Sequence, residues 1–371
     1  MLCLPPELLT LIFEHLIEDL QTLRSLCCTA RHIRPEAERL LYRNPLAIAR
    51  STSKPSSRIV LSTKRQIQFL TTIVETSRLA KLVHAFNCDS LVEDNEHAPY
   101  DLVKSALKEM VNLKSLIFRT FSGTPAVEIL AECSFQLEEL NWQPVGEDEQ
   151  AFEKWLQGQK ELRKLAVWLG TKPEDNTSAS VQPFSEVSCP NLHHLEGNRA
   201  SIERLFPSRK VESLFWVPEL GENVGRVDSM GHLASEFGNL RTLSYGAYFR
   251  RPPLSLIVDY LISLERLELV GLYFDELNLD LDDVMKIINL RELVISFSHS
   301  SRRLPVPVDG RAEMVKKMFD KLLLLETVDV ACEWVMIDEW VYQRWERGCD
   351  MPTMIKEDPV RSGRFRVNWG G

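Results

Sequence analysis

The sequence predicts an α/β chain: a small helical module at the N-terminus, a long array of short parallel strands alternating with helices, and a helical cap at the C-terminus. Three observations predict it. One six-residue pattern, apolar-x-x-apolar-x-apolar, returns ten times between Leu79 and Val330, with His84 and Gly197 at its last position in two of them. Stretches of helical character separate most of its occurrences. The first forty-odd residues, by contrast, carry apolar residues at helical spacing only.

Within residues 1–45, Pro5 and Pro6 suit the first turn of a helix, where a missing N–H costs nothing, and Glu7 suits the positive end of the helix dipole. Leu8, Leu9, Ile12, Phe13 and Leu16 form one apolar stripe, and Leu20, Leu23, Leu26 and Cys27 form a second after the Glu18-Asp19 break. A third short helix spans Pro35 to Tyr42. These stripes either pack entirely within the chain or leave an apolar surface over. The combined spacing, Leu4-Pro5-x-Glu7-Leu8-Leu9-x-x-Ile12-Phe13-x-x-Leu16 and then Leu20-x-x-Leu23-Arg24-x-Leu26-Cys27-x-x-x-Arg31, resembles an F-box over residues 2–45. The family often has Trp where this chain has Ala30. The resemblance implies docking of a Skp-type adaptor through Leu4, Pro5, Leu8, Ile12, Leu16, Leu20, Leu23 and Leu26, and through it attachment to the cullin and RING subunits of an SCF ubiquitin ligase.

Residues 46–58, rich in small and polar side chains, read as a linker. The repeated pattern then fills residues 59–332, beginning at Leu79-Ala-Lys-Leu82-Val-His84 and continuing with Leu113, Leu137, Leu162, Leu192, Val211, Leu240, Leu264, Leu290 and Leu325 as leading residues, often introduced by Asn. Intervals of 19 to 35 residues scatter around the roughly 20–29 residues of leucine-rich repeats. The pattern resembles divergent leucine-rich repeats, each segment a short strand whose leucines point into the core. Helices are expected at residues 64–76, 101–110, 126–132, 149–160, 228–237, 254–261, 281–288 and 311–323, with about a turn near Ile202. Right-handed crossovers between parallel strands would stack them into a solenoid, strands on the concave side and helices on the convex side. Residues 170–190 and 299–310 read as polar insertions. Past Val330, Trp334, Val335, Ile337, Trp340, Val341 and Trp345 recur at near-helical spacing, and residues 333–371 are assigned to a capping helix and tail.

Composition narrows the function. A net charge of -9 argues against a nucleic-acid partner, which needs a basic face. No apolar run reaches the roughly 18–20 residues that span a bilayer, and the start lacks a signal peptide's basic region and cleavage site, so no membrane role and a cytosolic or nuclear location are expected. The eight cysteines include no C-x-x-C pair and read as reduced thiols. No nucleophile elbow, zinc-protease, P-loop or dinucleotide motif is present, so no cofactor, no metal and no enzymatic role is expected. His193-His194 would point to opposite faces of a strand, and Asp280, Asp282 and Asp283 suit a helix start.

Because strand side chains alternate, the positions between the repeat leucines should line the concave face, where such arrays meet protein partners. The candidate substrate-binding residues are Ile117, Arg119, Asn141, Trp168, Glu196, Phe215, Glu268 and Val294. Trp142 and Trp216, at the third apolar position, are assigned to the core. The leading expectation is a non-catalytic substrate receptor that holds a target protein near the ubiquitin-charged enzyme. The alternative is a repeat scaffold or inhibitor whose N-terminal helices merely cap the array, with Leu8, Ile12 and Leu16 buried.

Overall fold

The computed structural model describes residues 6–16, 19–44, 55–88, 98–119, 127–143, 149–170, 182–218, 230–246, 252–270, 281–296, 310–336, 339–349 and 351–357. The chain forms two compact units, Met1–Arg163 with Val187–Cys189, and Lys164–Glu186 with Pro190–Gly371. The N-terminal helices share a unit with the first strands.

The first unit opens with α1 (Pro6–Glu14), α2 (Leu20–Thr29) and α3 (Arg34–Arg43). Asp19 caps α2, accepting from the Thr22 backbone N–H at 3.0 Å and from the Thr22 hydroxyl at 2.6 Å. Those bonds hold its carboxyl below the usual range. Pro35 sits in the first turn of α3. Phe13, Leu23, Ala37 and Leu40 are buried together, with Leu9, Leu16, Leu26, Cys27, Ile33 and Leu41 packed against them. The three helices thus own a small core.

Glu38 and Tyr42 of α3 both join that core to the rest of the unit. Glu38 of α3 is buried and takes 2.8 Å ion pairs from Arg34 and from Arg78 of α5 (Ser77–Ala80). Tyr42, Phe69 and Phe86 stack in series with ring centroids 6.1 and 5.9 Å apart, linking α3, α4 (Pro55–Glu75) and β1 (Ala85–Asn87). α4 begins inside the expected 46–58 linker, because Pro55 fits a helix's first turn; residues 55–58 are helical.

After β1 come α6 (Ala98–Glu109), β2 (Ser115–Arg119), α7 (Val127–Leu130), β3 (Glu139–Gln143) and α8 (Glu149–Leu156), with β1, β2 and β3 paired in parallel. The first repeat is offset from its sequence assignment. Leu79 lies in α5, and Phe86 pairs with Leu116, so the pattern here is Val83-x-x-Phe86-x-Cys88, all three buried. Leu79 and Leu82 mimic the spacing but belong to the preceding helical turn. Trp142 is a core residue as expected, stacked 4.8 Å from Phe118 and 6.2 Å from Phe152. Asn112, which introduces the second strand, donates to the Lys81 carbonyl at 2.7 Å.

The second unit holds β4 (Lys164–Val167), β5 (His194–Gly197), β6 (Ser213–Trp216), β7 (Thr242–Tyr245), β8 (Arg266–Val270), β9 (Glu292–Ser296) and β10 (Thr327–Met336), each parallel to the next. The register aligns Leu165, Leu195, Leu214, Leu243, Leu267, Leu293 and Val328 in one buried row. Short helical turns close the crossovers: α9 (Arg199–Leu205), α10 (Ala234–Phe237) after a 3₁₀ turn at Met230–Leu233, 3₁₀ turns at Leu254–Leu256 and Val258–Tyr260, α11 (281–284) and α12 (Arg311–Lys321). This is a leucine-rich-repeat-like array.

The 19-residue interval after Leu192 is accommodated by close packing. A Cβ on Gly197 would lie 2.3 Å from the Val167 carbonyl oxygen and 2.8 Å from Ser201 Cβ, so only glycine fits there. Asn198 caps α9 by accepting from the Ser201 N–H at 3.0 Å, and its amide donates to the Leu169 carbonyl at 2.7 Å.

The C-terminus departs from expectation. Among the described residues of 333–371 there is no helical cap: β10 continues to Met336 and pairs antiparallel with β11 (Glu339–Glu346), which pairs antiparallel with β12 (Thr353–Glu357). Register shifts at Ala331/Glu333 and Trp334/Met336 accompany this pairing. Val, Trp and Tyr are strand formers, and their β propensity wins over an apolar spacing that reads as helical.

Candidate protein-docking surfaces

The first surface belongs to α1. Apolar residues occupy two of its faces. Leu9, Phe13 and Leu16 turn toward the three-helix core. Leu8, Leu11 and Ile12, at i, i+3 and i+4, share another face and remain 45, 58 and 47% exposed. A helix that is apolar on more than one face normally has both covered. Leu11 was not among the residues singled out from sequence, although its spacing from Leu8 marks it. One predicted adaptor contact, Leu23, is corrected. Leu23 is wholly buried against Phe13, Ala37 and Leu40 and cannot reach a partner, while Leu16 and Leu26 are partly buried because they pack on that core. Leu4 and Pro5 lie outside the described residues, as does the side chain of Leu20. Ala30 is the extended C-cap of α2 rather than a face residue.

Burial pushes the Glu38 carboxyl up, but hydrogen bonds from Arg78 and Arg34 outweigh it and leave the group below the usual glutamate range. Glu36 is likewise lowered by its bond from Arg39.

The second surface is the strand face opposite the leucine core. In the first unit, Ile117 and Asn141 pair across β2 and β3. Ile117 is half-buried; the side chain of Arg119 lies outside the described residues. Asn141 is buried, and among the described residues neither its amide nitrogen nor its oxygen has a hydrogen-bond partner.

In the second unit the register places Ala166, Glu196, Phe215, Ser244, Glu268, Val294 and Asp329 in one cross-strand row. This row is far less open than predicted. Glu196 is buried between its neighbours Ala166 and Phe215. Glu268 is buried because hydroxyls on both sides hold it down: Ser244 donates to one carboxylate oxygen at 2.7 Å and Ser296 to the other at 2.6 Å. Ser296 also meets the Tyr342 hydroxyl at 3.0 Å. Val294 is buried with Ala331 and Tyr342, and Ile355 packs on that cluster. Asp329 receives both the Nε and an Nη of Arg344, at 2.8 and 2.6 Å. The extra strands β11 and β12 supply Tyr342, Arg344 and Ile355, and they occupy the end of the row that a helical cap would have left open.

Of the predicted contact residues, Trp168 and Phe215 stay partly exposed in this unit. His194 and Ser213 of the neighbouring row share a 2.9 Å hydrogen bond.

Among the described residues no group of three or more acidic, His or Cys side chains could hold a metal ion, and no helix is long and apolar enough to cross a membrane. The described cysteines are free thiols, and burial pushes that of Cys133 up to about 12.

No family model matches the chain, and no curated protein matches it. Among solved structures, an internalin from Listeria monocytogenes is similar at 11% identity and a TM-score of 0.27, with 72% of this chain and 95% of that chain covered. So loose a likeness carries no argument; the repeat architecture rests on strand register.

Proposed function

We propose that this protein is a substrate receptor of an SCF-type ubiquitin ligase, with the N-terminal helices docking a Skp-type adaptor and the strand array holding a target protein. One observation carries the reading: α1 keeps Leu8, Leu11 and Ile12 exposed on a module that already has its own core. Had the helices served only to cap the array, Leu8 and Ile12 would be buried in it. The chain contributes proximity. Tethering a target beside a ubiquitin-charged enzyme raises their effective concentration, with no catalytic residue supplied here. Capture of the target falls to the exposed parts of the strand face, with Phe215 and Trp168 as aromatic anchors, since Glu196, Glu268 and Val294 are buried.

The test is a pull-down of the full-length protein with a purified Skp-type adaptor, beside a Leu8→Asp/Ile12→Asp variant whose circular dichroism matches the wild type. Retention of the wild type and loss of the variant supports the receptor; failure of the wild type to bind leaves a protein-binding repeat scaffold.

A further inference from the structure

A third apolar feature lies in the second unit, far along the chain from α1. Two residues before the leading leucine of successive repeats, the chain places Gly238, Ile262, Ile288 and Leu323. Ile262, Ile288 and Leu323 are 66, 70 and 79% exposed. They sit on adjacent turns: the Asn289 amide donates to the Ile262 carbonyl at 2.7 Å, and a Cβ built on Gly238 would lie 3.6 Å from Ile262 Cδ1. With neighbouring strands about 4.8 Å apart, the three exposed side chains follow one another along one rim of the array. Such a row on neighbouring repeats is the kind of surface that is covered by a partner.

Beside these side chains runs a row of charges, one residue after each leading leucine. Backbone hydrogen bonds chain it together, from Glu265 N–H to the Arg241 carbonyl at 2.9 Å, Arg291 to Glu265 at 2.7 Å and Glu326 to Arg291 at 2.7 Å. The order is therefore Arg241, Glu265, Arg291, Glu326, alternating in sign. Within the chain the side chains pair as Arg241 with Glu265 at 3.0 Å and Arg291 with Glu326 at 2.7 Å, all half-exposed.

This order is self-complementary under a two-fold rotation. If a second copy is turned about an axis between β8 and β9, Arg241 faces Glu326 of the other copy and Glu265 faces its Arg291, so every cross-copy pair is opposite in sign. The same rotation sets Ile262 against Ile288 and sets Leu323, the most exposed of the three, over Gly238, where no side chain stands. A two-fold contact needs one surface that complements itself, and both rows do. We propose that this rim is a homodimer interface: two copies meet rim to rim, antiparallel, through Ile262, Ile288 and Leu323, with the alternating charges fixing the register. The patch is small against the roughly 800 Å² per partner of a standard interface, so the dimer is weak and concentration-dependent. It uses no α1 residue, so it stands or falls separately from adaptor docking.

Sedimentation velocity of the full-length protein across low to high micromolar concentrations tests it. The wild type is expected to shift from monomer to dimer. Ile288→Glu should stay monomeric with an unchanged thermal melt, since the side chain it replaces is exposed. Glu265→Arg should also stay monomeric, because it sets like charges against each other twice across the axis, and an exposed ion pair contributes little to folding. The double variant Glu265→Arg/Arg291→Glu should dimerise again: it restores the cross-copy pairs while leaving like charges side by side within each chain. A wild type that is monomeric throughout overturns the proposal. So does an Ile288→Glu variant that dimerises like the wild type, or a double swap that fails to recover.

Discussion

In the N-terminal module the buried Glu38 carboxylate holds Arg34 on its own helix and Arg78 on α5. Its folded pKa is depressed, with burial opposing and the two arginines prevailing. Its stabilising contribution is therefore complete above the unfolded value of about 4.3, and it is lost as pH falls through the lower folded value. Urea titrations between pH 3 and 6 should show a steeper acid loss of stability in the wild type than in Glu38→Gln. Asn141 makes the opposite case. An amide buried without partners costs about 1–3 kcal/mol, so Asn141→Leu should raise the melting temperature; a lower one would mean the amide is satisfied. At Gly197 a methyl group would press on the Val167 carbonyl. Gly197→Ala should cost at least about 1–3 kcal/mol, as overpacking does, read as a lower chemical-denaturation midpoint. Sequence reading gave Asn141 and Glu196 as surface residues because alternation assigns a face and nothing more. Whether that face is open depends on neighbouring strands and loops, which period-2 spacing does not encode.

At the scale of elements, the strands were the most legible part. Nine of the ten predicted segments are the strands that form, since a leucine three residues before another leaves little choice of register once parallel neighbours align. The first was displaced from Leu79 to Val83 because a helical turn supplied a competing leucine spacing. Between the strands helix existence was legible, but helix type was not: the stretch at 254–261 is two 3₁₀ turns. The C-terminal run was misread because aromatic and β-branched residues spaced by three or four fit a helix on paper, and the antiparallel pairing that they actually make is non-local. That pairing is testable. Arg344 binds the buried Asp329 with two hydrogen bonds, and charge-assisted bonds of this kind contribute about 1.5–3 kcal/mol. Arg344→Ala should lose that much in chemical denaturation, and hydrogen exchange should accelerate in β11 and β12 before the leucine rows. Equal protection in the variant would separate the ion pair from the strands' docking.

At the scale of the molecule, two kinds of surface are left over after folding: apolar residues on α1, and the rim and aromatics of the repeats. The sequence alone suggested the first through its F-box-like spacing, yet it could not sort Leu8 and Ile12 from Leu23, because a stripe on a helix does not say which neighbour covers it. Burial sorts them. Leu23 sustains the three-helix core, whereas Leu8, Leu11 and Ile12 stand outside it. The most direct test of the docking account is isothermal titration of a purified Skp-type adaptor into the full-length protein and into Leu11→Asp and Leu23→Ala. Burying one leucine contributes about 1.5–3 kcal/mol, so Leu11→Asp should bind at least about tenfold more weakly while melting like the wild type, and Leu23→Ala should melt lower. Undetectable binding by the wild type, or full affinity in a folded Leu11→Asp, would contradict the assignment of this face to the adaptor.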